Sequence, residues 1–277
     1  MSAERLSAPL RLDGGTAVIT GAASGIGLGL ARHAAQLGMR LLLADVDAAA
    51  LKRVAEELGA QAQPTDVRDP EAVAALADRA FETFDSVDVV FNNAGVMQTG
   101  FAWEIPAADW QRCLEVNLHG AVRVMRAFMP RLLAAARPAQ MVNTASIGGM
   151  LASPLMAPYA ASKAALVAVS EAMHGELAML EAPVGVSLLA PGPVKSGIFD
   201  TDGDTPGDDP RVAGFRQQMQ QMLEANGLAP EAFAERVFEG LAARGFWLIP
   251  QPEIFDAAWQ ARADGVLARR DPELPNF

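Results

Sequence analysis

Tyr159 and Lys163 stand four residues apart in an Ala-rich run, PYAASKAALVA, that reads as helix. That spacing puts both side chains on one helix face, a turn apart. A free phenol has a pKa of about 10, so only about 0.1% of it is ionised near neutrality. An ammonium about 4 Å away, at an effective dielectric near 20, offers roughly 4 kcal/mol, about a thousandfold in acidity. Burial acts the other way, so this is an upper figure. The pair is a candidate general acid–base, and Tyr159 is the only tyrosine of the chain. Ser146 lies thirteen residues upstream, just past the apolar run QMVNTA, where it could hold a substrate oxygen.

A second constellation is rich in glycine. Residues 16–20 (TAVIT) read as a buried strand and lead straight into Gly21-Ala-Ala-Ser24-Gly25-Ile26-Gly27. Such a turn lets a pyrophosphate approach the backbone, and the following helix offers unpaired N–H groups and a positive dipole end. The spacing is G-x-x-x-G-x-G, and Leu30 stands where G-x-G-x-x-G would place its last glycine. Asp45 ends the next strand, 18 residues after Gly27, where a carboxylate binds adenosine ribose hydroxyls and repels a 2′-phosphate. Ala22, Ala23, Ser24 and Val46 supply no cation. Arg40 is five residues back, roughly 16 Å along an extended strand. NAD is expected in preference to NADP.

The elements that must position these groups alternate. Short apolar runs at 16–20, 41–45 (LLLAD), 87–91 (VDVVF), 140–145, 184–190 (VGVSLLA) and 246–249 (FWLI) suit strands covered on both faces. Between them lie helical stretches. Asp47 caps one that stops at Gly59, Asp69-Pro70 opens another, and residues 230–243 carry Phe233, Val237 and Leu241 at fourfold spacing. Alternation of this kind predicts an α/β fold, a single doubly wound (Rossmann-type) domain over residues 1–277. Its parallel sheet of about seven strands has helices on both faces, and ligands bind beyond the carboxyl ends of the strands. Residues 252–277 read as a C-terminal helical extension.

Hydrophobic residues are 51% and charged residues 20%, enough for a core and unlike a disordered chain. A net charge of −11 argues against nucleic-acid binding and against docking on an anionic membrane. No apolar run approaches the roughly 18 residues of a membrane span, and the first residues lack a signal-peptide core, so a cytoplasmic location is expected. Cys113 is the one cysteine, which excludes an intramolecular disulfide. His33, His119 and His174 show no metal-ligand spacing, and no metal is expected.

Taken in order, TGAASGIG (20–27), Asp66-Val67, Asn92-Asn93-Ala94-Gly95, Asn117, Ser146, Tyr159-x-x-x-Lys163 and Pro191-Gly192 resemble the short-chain dehydrogenase/reductase family, from about residue 12 to 250. The resemblance implies that Tyr159 is the acid–base. Lys163 would hold the nicotinamide ribose and lower the phenol pKa, Ser146 would bond the substrate oxygen, and Asn117 would order a proton-relay water. Asp66 and Val67 would flank the adenine, and Asn93, Ala94 and Gly95 would line the cofactor channel. Pro191, Gly192 and Val194 would meet the nicotinamide, with Ser196 touching its amide or a phosphate. A homotetramer or homodimer is also implied, packed through helices at 108–136 and 157–181, where Ala160, Ala164 and Ala168 permit close approach.

The reaction so implied interconverts an alcohol and a ketone or aldehyde on a small molecule. The alternatives are an NADP-dependent carbonyl reductase and a non-catalytic dinucleotide-sensing regulator, for which the acid–base pair has no use. Val96, Met97, Met150, Leu151, Met156 and Phe199 are the expected wall of a hydrophobic substrate pocket. Residues 195–228 read as a lid, with Phe215, Met219 and Met222 as a helical stripe behind an acidic loop. A calcium loop starting at Asp200 fails, because Thr205 and Arg211 occupy its sixth and twelfth positions.

Overall fold

The strands owe their place to a period-two split of apolar side chains. On one face of the sheet Val18, Leu42, Val90, Met141 and Val186 pack under Leu76, Phe128 and Leu166. On the other face Ala17, Ile19, Leu43, Phe91 and Val142 pack under Leu30, Phe233 and Val237. The computed structural model describes Leu6, residues 8–200 and residues 209–272. The chain runs through β1 (Thr16–Thr20), α1 (Gly25–Gln36), β2 (Arg40–Asp45), α2 (Ala48–Leu58), β3 (Gln61–Pro64), α3 (Pro70–Thr83) and β4 (Val89–Asn92). It continues through α4 (Ala107–Leu114), a π-helical turn (Glu115–Gly120), α5 (Ala121–Ala135), β5 (Ala139–Thr144), a 3-10 turn (Ile147–Gly149) and α6 (Ala157–Met179). β6 (Val184–Leu189), α7 (Pro210–Asn226), α8 (Pro230–Ala242), β7 (Trp247–Leu248) and α9 (Pro252–Leu267) complete it.

The sheet has seven strands in the order β3-β2-β1-β4-β5-β6-β7, every pair parallel. This is the doubly wound α/β fold expected from the alternation. The order reverses direction between β1 and β4, the switch point where such sheets open a crevice. One strand, β3, has no apolar run in the sequence: QAQP lies at the edge, pairs only with β2 and is not fully buried at any position. An edge strand tolerates both its polarity and its terminal proline.

The expected caps are in place. Asp47 accepts from the Ala49 and Ala50 amides, and Gly59 ends α2 at φ +62°, a left-handed conformation that favours glycine. Asp69 accepts from the Glu71 amide ahead of Pro70. The helix expected over 108–136 is present as an unbroken helical run from 107 to 135, but not as α-helix throughout. Its middle is the π-turn Glu115–Gly120, an insertion that hydrophobic periodicity does not announce. Asp202, Asp204 and Asp208 of the acidic stretch lie outside the described residues, as does the end of the C-terminal extension. Among the described residues no helix is long and apolar enough to cross a membrane, and no three His, Cys, Asp or Glu side chains converge as for a metal ion.

Candidate active site

The carboxyl ends of β1, β4, β5 and β6 deliver the motifs of the sequence to one edge of the sheet. After β1, Gly21 and Gly25 adopt φ +65° and +50°. A methyl group on Gly21 would stand 2.9 Å from Ala94 Cα, and one on Gly25 would stand 3.1 Å from Ser196 Cβ. The glycines thus keep a cradle open between the turns after β1 and β4 and the chain beyond β6. Gly27 is buried and serves packing, since a methyl there would strike the Gly21 carbonyl oxygen. Ser24 is exposed at the start of α1, and its hydroxyl caps nothing, so it does not occupy the first amides of that helix. Ile26 is half-buried beside it. A pyrophosphate fits such a cradle.

Asp45 ends β2 half-buried; its carboxylate accepts from the Ala23 amide at 3.0 Å and the Asp47 amide at 3.0 Å. It therefore also ties the glycine turn to β2. Arg40, at the other end of that strand, lies over the Phe84 ring at 5.3 Å. Asp66 and Val67 follow β3 next to it, the Thr65 amide bonding the Asp45 carbonyl. Arg68 grips the Asp66 carboxylate and holds it below the usual range, while Val67 is buried against Gly120.

Asn93 is stitched across the crevice: its amide and that of Ala94 both donate to Thr20 Oγ1 (2.9 and 3.1 Å), and its side chain donates to the Thr20 carbonyl at 3.1 Å. A methyl on Gly95 would stand 3.3 Å from both Asn117 Oδ1 and Lys163 Nζ, so these groups converge. Asn117, buried within the π-turn, accepts from the Val96 amide (2.8 Å). It donates to the Val96 carbonyl (2.9 Å) and to Ser162 Oγ (3.0 Å). Ser162 in turn donates to the Tyr159 carbonyl at 2.7 Å. Asn117 is thus a brace for the loop after β4 as well as a polar neighbour of Lys163.

Tyr159 and Lys163 share a face of α6, both buried, with Nζ 5.8 Å from the phenol ring centroid and donating to the Thr144 carbonyl at 2.7 Å. Ser146 follows β5 and accepts from the Gly148 amide at 3.0 Å; a methyl on Gly148 would stand 3.4 Å from its Oγ and 3.6 Å from Tyr159 Cε1, so the hydroxyl lies beside the phenol. The electrostatics correct one expectation. Burial raises the phenol above its ordinary value, Ser146 opposes that rise and Cys113 adds to it. Burial pushes Lys163 down to about 8. Spacing alone predicts a phenol made acidic by its ammonium neighbour, but the cost of burying the phenolate dominates.

After β6, Pro191 accepts from the Ile147 amide at 3.0 Å, so this loop is tied to the turn behind Ser146. Val194 is buried and bridges Leu228. Tyr159 packs with Met156, Phe199, Phe215 and Met219, with Met97 and Met222 at the margin. Val96 enters through its backbone, held by Asn117. Met150 and Leu151, expected on the same wall, pack instead with Ala190 and Phe255, because the 3-10 turn carries them to the other side of the loop after β6. Cys113 is fully buried in the tyrosine cluster and accepts from Asn117 Nδ2 at 3.4 Å. Ser162 has no signal in the sequence, and the bonds that Thr20 and Cys113 make to Asn93, Ala94 and Asn117 have none either, since only tertiary contact forms them. A separate cavity of about 520 Å³ lies between α2 and β3, and none of its lining residues belongs to the tyrosine cluster.

A family model described as short chain dehydrogenase matches residues 15–206. A 1-deoxy-11-beta-hydroxypentalenate dehydrogenase from Streptomyces exfoliatus is 38% identical over 91% of this chain and 90% of its own length. A C alpha-dehydrogenase from Sphingobium sp. is 32% identical over 93% and 88%. Among solved structures, a short-chain dehydrogenase/reductase from Burkholderia phymatum in complex with NAD superposes with a TM-score of 0.91 at 37% identity. The match covers 96% of this chain and 99% of that one.

Proposed function

Because this chain belongs to the short-chain dehydrogenase family, we propose that it is an NAD-dependent oxidoreductase interconverting a secondary alcohol and its carbonyl counterpart on a hydrophobic small molecule. One observation carries the reading: a buried phenol beside Ser146, with a buried ammonium on the same helix face, at the carboxyl edge that holds the glycine cradle. The names of the relatives support it, since one is a dehydrogenase of a hydroxy compound. The NAD complex of the Burkholderia structure and the carboxylate of Asp45 support the choice of cofactor.

In this reading the turn Gly21–Gly27 and the first amides of α1 hold the pyrophosphate, and Asp45 holds the adenosine ribose. Asp66 and Val67 flank the adenine, and Asn93, Ala94 and Gly95 line the channel. Pro191, Gly192, Val194 and Ser196 hold the nicotinamide end. When bound, NAD supplies the hydride acceptor or donor. Tyr159 exchanges a proton with the substrate oxygen, and Ser146 bonds that oxygen and steadies charge on it. A raised phenol pKa keeps Tyr159 protonated and ready to donate towards a carbonyl; in the oxidative direction the phenol must first lose its proton. Lys163 beside it holds the nicotinamide ribose, and a water ordered by Asn117 takes the phenol proton outward to solvent. Met97, Met156, Phe199, Phe215 and Met219 give the substrate apolar walls; of the lid expected over 195–228, residues 195–200 and 209–228 are described and the remainder lies outside the described residues.

The enzyme works as a homo-oligomer in the cytoplasm. Ala160, expected in the contact stripe on α6, is buried, whereas Ala161, Ala164 and Ala168 are exposed at helical spacing and are the small residues open to a partner. The test of the activity is Tyr159→Phe, assayed with NAD and a panel of secondary alcohols at the NADH absorbance. Turnover falls by about a thousandfold or more while cofactor binding persists; a near-normal rate rules out the phenol as acid–base.

A further inference from the structure

We infer that Gln251 is a positioning residue that fixes the nicotinamide-end loop, an inference that rests on the dinucleotide reading above. Gln251 lies 59 positions from Gly192 in sequence yet is 2% exposed, and its side-chain amide is spent entirely on that loop. Its Oε1 accepts from the Gly192 amide at 3.0 Å, and its Nε2 donates to the Pro193 carbonyl at 2.9 Å. Pro191 and Pro193 have no amide hydrogen, so Gly192 carries the one N–H of that tripeptide, and Gln251 takes it. A methyl on Gly192 would stand 2.9 Å from Oε1, so any larger residue there would have to displace the Gln251 amide.

The clamp has an anchor and an opposite jaw. The Gln251 carbonyl accepts from the Ile254 and Phe255 amides at the start of α9, and Phe255 is buried against Ala190 and Met150. From the other side, the Leu228 amide donates to the same Pro193 carbonyl at 3.1 Å and the Lys195 amide donates to the Leu228 carbonyl. The Pro191 carbonyl meanwhile holds the Ile147 amide, next to Ser146. Gln251 therefore sets the loop at the nicotinamide end relative to the Ser146 turn, while touching neither the glycine cradle nor Asp45.

Binding of two ligands separates this role from a merely structural one. ADP-ribose shares the adenosine and pyrophosphate of NADH but lacks the nicotinamide. Wild-type protein and Gln251→Met, an apolar variant of similar length, are titrated with each ligand by calorimetry, and bound NADH is followed by the blue shift of its emission. We expect ADP-ribose affinity within about twofold of wild type, NADH affinity about tenfold weaker and the emission shift reduced, as for the loss of one or two buried hydrogen bonds. Equal losses for both ligands, or no loss for either, overturn the inference. If Gln251→Met does not fold, Gln251→Glu replaces it. That side chain keeps the acceptor for Gly192 and can donate to Pro193 only as the acid, so NADH affinity must rise relative to ADP-ribose as pH falls. A flat ratio overturns the inference as well. Wild-type protein that binds neither ligand overturns the dinucleotide reading itself, a result distinct from either failure of the variants.

Discussion

Replacing Lys163 by methionine separates what the buried ammonium does for chemistry from what it costs the fold. The side chain is 3% exposed, and burial brings its pKa from 10.5 to about 8. A depression of that size corresponds to about 3 kcal/mol of lost stability while the group is charged in both states. The unfolded chain holds the proton more tightly, so the penalty is complete below about pH 8 and fades as pH rises towards about 10.5, where folded and unfolded chains are both neutral at this site. Methionine keeps the length of the stem and removes the charge. It also forfeits the bond to the Thr144 carbonyl, about 1 kcal/mol at any pH. Lys163→Met is therefore more stable than wild type by about 2 kcal/mol near pH 7, and that advantage is gone near pH 10. Parallel urea melts of the two proteins across this range cancel every group they share. The variant must also lose turnover. A stability difference that does not change with pH, or a variant less stable near pH 7, refutes the argument that desolvation governs this lysine.

Asp45→Ala weakens NAD binding by about tenfold, from the loss of hydrogen bonds to a charged group, and narrows discrimination against NADP, measured as the ratio of the two dissociation constants. An unchanged ratio places the ribose contact elsewhere. Ser162→Ala removes the group between Asn117 and the Tyr159 carbonyl. It lowers stability by about 1–2 kcal/mol in urea and lowers kcat more than KM; a drop in stability with unchanged kcat limits Ser162 to packing.

Much of the architecture is legible in the sequence because a sheet covered on both faces demands continuous apolar runs, and six of the seven strands have them. β3 lacks one: with a single neighbouring strand it can be built from QAQP. The π-turn is hidden for another reason. One extra residue per turn leaves the apolar spacing of 107–135 looking continuous, although it is this insertion that presents Asn117 to Val96 and Ser162. The grouping of Ser146, Tyr159 and Lys163 follows from strand ends and helical spacing. The sign of the phenol shift does not, because a sequence displays the charged neighbours of a group and not its distance from water. Gln251 is invisible for the same kind of reason, its meaning lying wholly in a contact made 59 positions away.

Thr20 offers a last consequence. One hydroxyl oxygen accepts the amides of both Asn93 and Ala94, riveting the end of β1 to the end of β4 at the bottom of the crevice. These two lips cannot part without breaking both of those half-buried bonds. The opposite shore is built differently: there Phe199, Phe215 and Met219 close on the tyrosine with apolar side chains, and Gln220 of α7 ties the Phe199 carbonyl to the same helix, so that wall is held as one piece with α7.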